Sequence, residues 1–182
     1  MKWMLAIVLS LCLALPTYAD VTIPKKDRVA NFSPGYCTWC CLETLGRYHK
    51  IEKLYNLAEN RTNDPDYVVW DDYYQVYIVR EYRNTGSCRA VAEKLNSLGV
   101  KYKMQWDGNR DDRILREAVK KDGAVVTMAP GAFGGSHSII VTEYNDKKVE
   151  FINPNDASYY ECTREWFSYY WTGAAVVILE QK

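Results

Sequence analysis

Ser33-Pro34-Gly35-Tyr36-Cys37-Thr38-Trp39-Cys40-Cys41-Leu42-Glu43-Thr44-Leu45-Gly46 carries a loop into a helix and sets a cysteine at the junction. Pro34-Gly35 is turn punctuation. From Cys37 to about Lys50, residues Cys41, Leu45 and Tyr48 fall at i, i+4 and i+7 and form an inward stripe that Leu42 widens. Gly46 costs helix propensity, so its use is close packing against another element. A thiol at such a junction faces backbone N–H groups that have no intrahelical partner, together with the positive end of the helix dipole. Both favour the thiolate. The same N–H groups are able to receive a developing oxyanion.

A nucleophilic cysteine needs a base, and the chain holds only two histidines, His49 and His137. His49 ends the same helix. At ~1.5 Å per residue it lies ~18 Å from Cys37 and ~13 Å from Cys40, which excludes it as their partner. Its expected place is the helix end, against the C-terminal carbonyls. His137 remains. It follows Gly134-Gly135-Ser136 and opens the apolar strand Ser138-Ile139-Ile140-Val141, at the border of a flexible loop. A third group should orient the imidazole. Asn153 ends the strand paired with the His137 strand, and Asp156 is the reserve orienter, although Asn153-Pro154-Asn155-Asp156 is also an ordinary turn sequence. Asn31, six residues before Cys37, is a candidate oxyanion donor on spacing alone.

Around these residues the chain reads as helices first and strands second. Residues 20 to 36 are irregular. Leu54 and Leu57 suggest a short amphipathic helix, and the aromatic stretch from Tyr67 to Tyr82 fits helix or strand, with helix the preferred reading. Ser87 caps a helix carrying Val91, Ala92, Leu95 and Leu98 and closed by Gly99. Val100 to Trp106 alternates as a strand, and Asp111-Asp112 starts a helix that ends before Gly123. Strands follow at Ala124 to Met128, His137 to Tyr144, Val149 to Asn153 and Ala174 to Glu180, with Asn145-Asp146-Lys147 as a hairpin turn. The fold class is α+β, an N-terminal helix packed on an antiparallel sheet formed by the C-terminal half.

The 182 residues carry zero formal net charge, which removes the basic footprint of a nucleic-acid binder. Lys2, the apolar run from Trp3 to Leu15 and the small-residue exit at Ala19 read as a secretory signal over residues 1–19, leaving 20–182 as a single domain that is secreted or periplasmic. The apolar run is too short for a stop-transfer span, so no membrane association is expected after cleavage. Cleavage also removes Cys12, which leaves an odd set: Cys37, Cys40, Cys41, Cys88 and Cys162. In an oxidising compartment an odd count points to a free thiol beside disulfides. Asn31-Phe32-Ser33 and Asn60-Arg61-Thr62 match the glycosylation tripeptide.

Gly35-Tyr36-Cys37-Thr38-Trp39-Cys40-Cys41, then Gly134-Gly135-Ser136-His137-Ser138-Ile139-Ile140-Val141, then Val149-Glu150-Phe151-Ile152-Asn153-Pro154, together resemble the papain-like cysteine peptidases, in particular the small bacterial branch of double-glycine leader peptidases. The resemblance spans roughly residues 30 to 180. It implies a papain-like cysteine proteinase fold and a peptidase or amidase, with Cys37 as nucleophile, His137 as base, Asn153 as orienter and a peptide or protein substrate. No cofactor or metal is implied. Two positions depart from the family's pattern: Asn31 stands where Gln is usual, and Thr38 where Gly commonly follows the nucleophile.

Other readings use the same residues. Cys37-Thr38-Trp39-Cys40 has the Cys-x-x-Cys spacing of thiol–disulfide oxidoreductases, although little strand character precedes it. Cys40 is a candidate structural cysteine bridging to Cys88 or Cys162, Cys41 a buried thiol, and Cys88 a rival nucleophile near its own helix start. Zinc lacks a second ligand pair. A non-catalytic papain-like module would use the aromatic segment 67 to 82 as a recognition groove. Substrate specificity and oligomeric state are not written in the sequence.

Overall fold

The computed structural model describes residues 21–32, 34–60, 67–71, 76–80 and 86–180. The signal segment 1–19, most of the Asn60 tripeptide and residues 72–75 and 81–82 of the 67–82 stretch lie outside it. The elements run α1 (Cys37–Tyr48), α2 (Leu57–Asn60), β1 (Tyr67–Asp71), β2 (Val76–Arg80), α3 (Cys88–Ser97), β3 (Tyr102–Gln105), α4 (Arg113–Ala118), β4 (Ala124–Phe133), β5 (Gly135–Tyr144), β6 (Lys148–Asn153), β7 (Ser158–Thr163), α5 (Arg164–Tyr170) and β8 (Trp171–Ile178). Six strands form one antiparallel sheet in the order β3-β8-β4-β5-β6-β7.

The central strands of the sheet are buried on both faces, and the two-residue period of a strand decides which side chain goes where. Val125, Ile140, Ile152, Val176 and Ile178 pack with α1 and α3 through Leu42, Leu45, Val91 and Leu95. Their neighbours Val126, Ile139, Val141, Phe151, Ala175 and Val177 turn to the other face, where Leu115 and Ala118 of α4 and Phe167 of α5 cover them. The sequence predicts the first layer; the second, with α5, is an addition.

Helix α1 is surrounded rather than one-sided: every residue from Thr38 to Gly46 is buried. The chain from Val21 to Val29 closes a further side, bridging from β5 and β7 to α1: Val21 N–H donates to Thr142 O, Ile23 N–H to the Tyr159 hydroxyl, and Val29 N–H to Thr44. That enclosure takes in two polar side chains that find partners, as buried groups must. The Thr44 hydroxyl accepts from Val29 N–H at 2.9 Å. Glu43, 2% exposed, pairs with Arg47 at 2.6 Å and accepts Ala58 N–H at 3.0 Å, at the start of α2. Gly46 meets its expectation of close packing, because a Cβ there would lie 2.3 Å from Leu54 Cβ.

Three readings are corrected. Within the 67–82 stretch, Tyr67–Asp71 and Val76–Arg80 are antiparallel strands, with Tyr67 paired to Arg80 and Asp71 to Val76. The run of aromatic and β-branched residues favours strands over helix. His49 sits at the end of α1, but its Nε2 meets Asp122 O at 3.0 Å, a carbonyl beyond α4 rather than one of its own helix. The hairpin of β4 and β5 continues past Met128 to a Phe133–Gly135 pair, so Pro130 and Gly131 do not end the strand. The Asn145 turn is as expected: Asn145 N–H donates to Lys148 O, and its Oδ1 accepts from Lys147 and Lys148 N–H.

Candidate active site

Cys37 is the first residue of α1, preceded by Tyr36, which makes no side-chain cap. The first helical bond is Cys40 N–H to Tyr36 O at 2.9 Å, so the N–H groups ahead of it are outside the helical ladder. The backbone N–H groups of Ser138, on β5, and of Thr38 act on the Cys37 thiol to favour its anion. The thiol is partly exposed, whereas His137 is only 7% exposed.

His137 is brought to Cys37 because β5 runs alongside the start of α1. Ile140 pairs with Ile152. One residue further along, this register sets Asn153 across from Ile139, on the same face as His137 and diagonal to it. His137 Nε2 lies 2.9 Å from Asn153 Oδ1. An amide could present either end to the ring, but Asn153 Oδ1 also accepts Asn155 N–H at 3.0 Å. A backbone N–H only donates, so the oxygen is fixed on this side. Nε2 must then carry a proton, and Nδ1 is the nitrogen left for Cys37. Phe133 packs on the imidazole with ring centroids 4.8 Å apart, and Phe133 in turn rests on Phe151 and Trp166.

The electrostatics follow from this pairing. Burial pushes the Cys37 thiol up, but the hydrogen bond and charge of His137, with the Ser138 and Thr38 N–H donors, outweigh it and hold the thiol below its ordinary value. Burial pushes the His137 imidazolium down, and the bonds to Cys37 and Asn153 reverse this and raise it. Each partner favours the charged form of the other.

The remaining cysteines behave differently. Burial, then the charge of Glu43, pushes Cys40 up to about 12, and its sulfur turns to Ala30 O at 3.8 Å. Cys41 is fully buried, its thiol raised by burial and turned to Ser138 O. Cys88, the rival nucleophile, is raised by burial and faces Gln105 O at 4.0 Å. Burial pushes Cys162 up to about 11. Among the described residues all five are free thiols, so the bridge expected from Cys40 to Cys88 or Cys162 is not formed.

A cavity of about 300 Å³ opens beside the dyad, lined by Gly35, Cys37, Thr38, Gly86, Ser87, Thr127, Ser136, His137 and Ser138. Apart from the imidazole, every side chain on it is small. The sequence marks Ser87 as the cap of a helix, which it is, accepting Ala90 N–H at the start of α3, but not as a wall of this cavity, and it does not mark Gly86. Two expected participants are placed elsewhere. Asn31 donates its N–H to Pro154 O at 2.6 Å and its amide to Asn155 Oδ1 at 3.4 Å, behind Asn153 rather than on the cavity wall. Asp156 accepts from Ser158 N–H and from the Tyr160 hydroxyl at 2.6 Å, which commits it to the β6–β7 turn. Among the described residues no cluster of three or more His, Cys, Asp or Glu is placed to hold a metal ion.

At the level of sequence, no family model and no curated protein matches the chain. Solved structures do match in shape. A double glycine motif protease from an AMS/PCAT transporter, in complex with its leader peptide, superposes with TM-score 0.56 at 13% identity, covering 90% of this chain and 96% of that one. The peptidase domain of Streptococcus ComA, a bifunctional ABC transporter involved in quorum sensing, gives 0.57 at 16% identity, covering 84% and 97%. A protein from Bacillus anthracis described as a C39-like peptidase gives 0.63 at 14% identity, covering 88% and 96%. The chain therefore has the papain-like α+β fold of C39-type cysteine peptidases.

Proposed function

We propose that the chain is a cysteine peptidase in which Cys37 is the nucleophile, His137 the base and Asn153 the group that orients the imidazole. The observation that carries this reading is the fixed order of partners: Asn155 N–H sets the Asn153 amide, Asn153 sets the His137 tautomer, and His137 activates Cys37. In the proposed reaction the Cys37 sulfur attacks the carbonyl carbon of an amide. The oxyanion that develops is held by the Cys37 N–H, outside the helical ladder at the start of α1. His137 passes its proton to the leaving amine as the tetrahedral intermediate collapses to a thioester. Water, deprotonated by His137, then releases the acid and regenerates the thiol. Asn31 joins the oxyanion site only by letting go of Asn155.

The small side chains on the cavity favour a substrate with small residues at the scissile bond. The match in shape to a double glycine motif protease points the same way. A fluorogenic amide preceded by Gly-Gly is thus the first substrate to use. We also propose that the enzyme acts after export, given the signal read in residues 1–19.

Rate against pH is the decisive measurement. The depressed Cys37 thiol puts the rising limb below 9.0, and the raised His137 puts the falling limb above 6.5, both being apparent values of the coupled dyad. Iodoacetamide labelling of Cys37 should show the same rising limb. A Cys37 that reacts no faster than a model thiol at neutral pH would sink the peptidase reading and leave a non-catalytic module.

Cys40→Ser separates hydrolysis from thiol–disulfide exchange. A serine hydroxyl can bond Ala30 O as the thiol does, so turnover of the Gly-Gly amide should stay within about twofold of wild type. Loss of turnover in step with loss of a Cys37–Cys40 disulfide would favour the oxidoreductase.

A further inference from the structure

Thr38 and Ser138 each stand one residue past a member of the Cys37–His137 dyad, and their hydroxyls meet at 2.7 Å across a sequence separation of 100. Both are enclosed, at 5% and 2% exposure. Neither hydroxyl is needed to make or break a bond in the reaction. We propose that this hydroxyl pair is a clasp that sets the spacing of the dyad, which makes Thr38 and Ser138 positioning residues for the peptidase reaction. The inference rests on the peptidase reading.

Besides the Cys37–His137 pairing, three contacts tie the start of α1 to the start of β5, and these three fall on Ser138. Its N–H favours the Cys37 thiolate, its carbonyl faces the Cys41 thiol at 3.6 Å, and its hydroxyl meets Thr38 at 2.7 Å. Bonds to sulfur are long and weakly directional. The hydroxyl pair is the short, buried bond of the three, so it fixes the register that the two sulfur contacts then share. Thr38 is confined as well. A Cβ on Gly86 would lie 2.0 Å from Thr38 Oγ1, so the Gly86 backbone closes that side and the hydroxyl has no room to swing toward it. On the opposite side Ser138 is held in the ladder by its pairing with Thr127 of β4. The helix and the strand are therefore clasped at the residues where a sub-ångström slip would separate sulfur from imidazole.

The test is Thr38→Val, which keeps the shape and removes the hydroxyl. A misplacement of this order should lower kcat on the Gly-Gly amide about 10- to 100-fold while KM stays within about threefold. The pH midpoint of Cys37 alkylation by iodoacetamide should rise by about one unit as His137 and Ser138 N–H lose their aim. Thr38→Ser should rescue both readouts. Thr38→Val combined with Ser138→Ala leaves no buried hydroxyl unpaired, so its Tm should recover toward wild type while the alkylation midpoint stays high. A wild-type midpoint in Thr38→Val, or a midpoint that recovers together with Tm in the double variant, overturns the clasp and leaves a packing contact. An ordinary midpoint in the wild-type protein would overturn the peptidase reading and the clasp with it. A depressed midpoint untouched by Thr38→Val overturns the clasp alone.

Discussion

Cys37→Ala is expected to cut turnover of the Gly-Gly amide by about 10⁴-fold or more, because no other thiol of the domain is placed to replace it. Cys40, Cys41 and Cys88 are buried and raised, and none of them lines the cavity: Cys40 turns to Ala30 O, Cys88 to Gln105 O, and Cys41 is enclosed behind Ser138. His137→Ala should lose about 10²- to 10⁴-fold, the ordinary worth of a positioned base. It should also return the Cys37 thiol to its ordinary value or above, since burial is then opposed only by the Ser138 and Thr38 N–H donors. The two losses should not add, because the residues act as one unit. Folding should survive Cys37→Ala, as the side chain is partly exposed. The checks are kcat/KM on the single and double variants, with Tm to confirm the fold. Residual turnover above about one per cent in Cys37→Ala would place the nucleophile elsewhere.

Gly173→Ala is expected to be the most damaging conservative change outside the site. Gly173 lies in β8, between β3 and β4 in the sheet order, at φ +100, a conformation that L side chains rarely adopt. A Cβ there would stand 2.5 Å from Asn109 O, which is backbone and cannot swing aside. The loop that would have to yield is tied down. Gly108 N–H donates to Thr172 O at 2.9 Å, and the Gln105 amide bridges Asn109 O and Gly173 O at 2.6 and 2.8 Å. Backbone strain and overpacking together should cost about 3–5 kcal/mol. For a domain of this size that is a Tm lower by roughly 6–20 °C. Gly108→Ala is the control, since Gly108 also has positive φ, at +83, but open space around it. Its loss should be about 1–2 kcal/mol, the backbone part alone. Equal losses in calorimetry would refute the clash with Asn109.

What the sequence makes legible is local chemistry with few competitors. The helix start at Cys37 shows in the Pro-Gly punctuation, and His137 follows from helix geometry, which removes the only other histidine. Asn153 is readable from the strand it ends. Asn31 and Asp156 are not, because what each bonds depends on the turn after Asn153, and spacing carries no information about that turn. The missed elements fail for definite reasons. β7 is an edge strand with mostly exposed side chains, so it shows no apolar alternation to read. Its successor α5 is rich in aromatics that favour strands. The helix is announced only by Thr163, whose hydroxyl accepts Trp166 N–H. The cavity wall from Gly86 and Ser87 reaches Cys37 through tertiary packing, which no local pattern encodes.

The clasp between Thr38 and Ser138 joins two chain segments a hundred residues apart. Until that junction closes, Cys37 is an ordinary thiol with no base and no donor from β5. Reactivity is thus a property acquired late, when a long loop has been closed and α1 has docked on the sheet. On the proposed peptidase reading, a nascent or misfolded copy carries a dormant sulfur. During refolding, the moment at which Cys37 begins to alkylate quickly is a clock for that docking event, readable without any substrate.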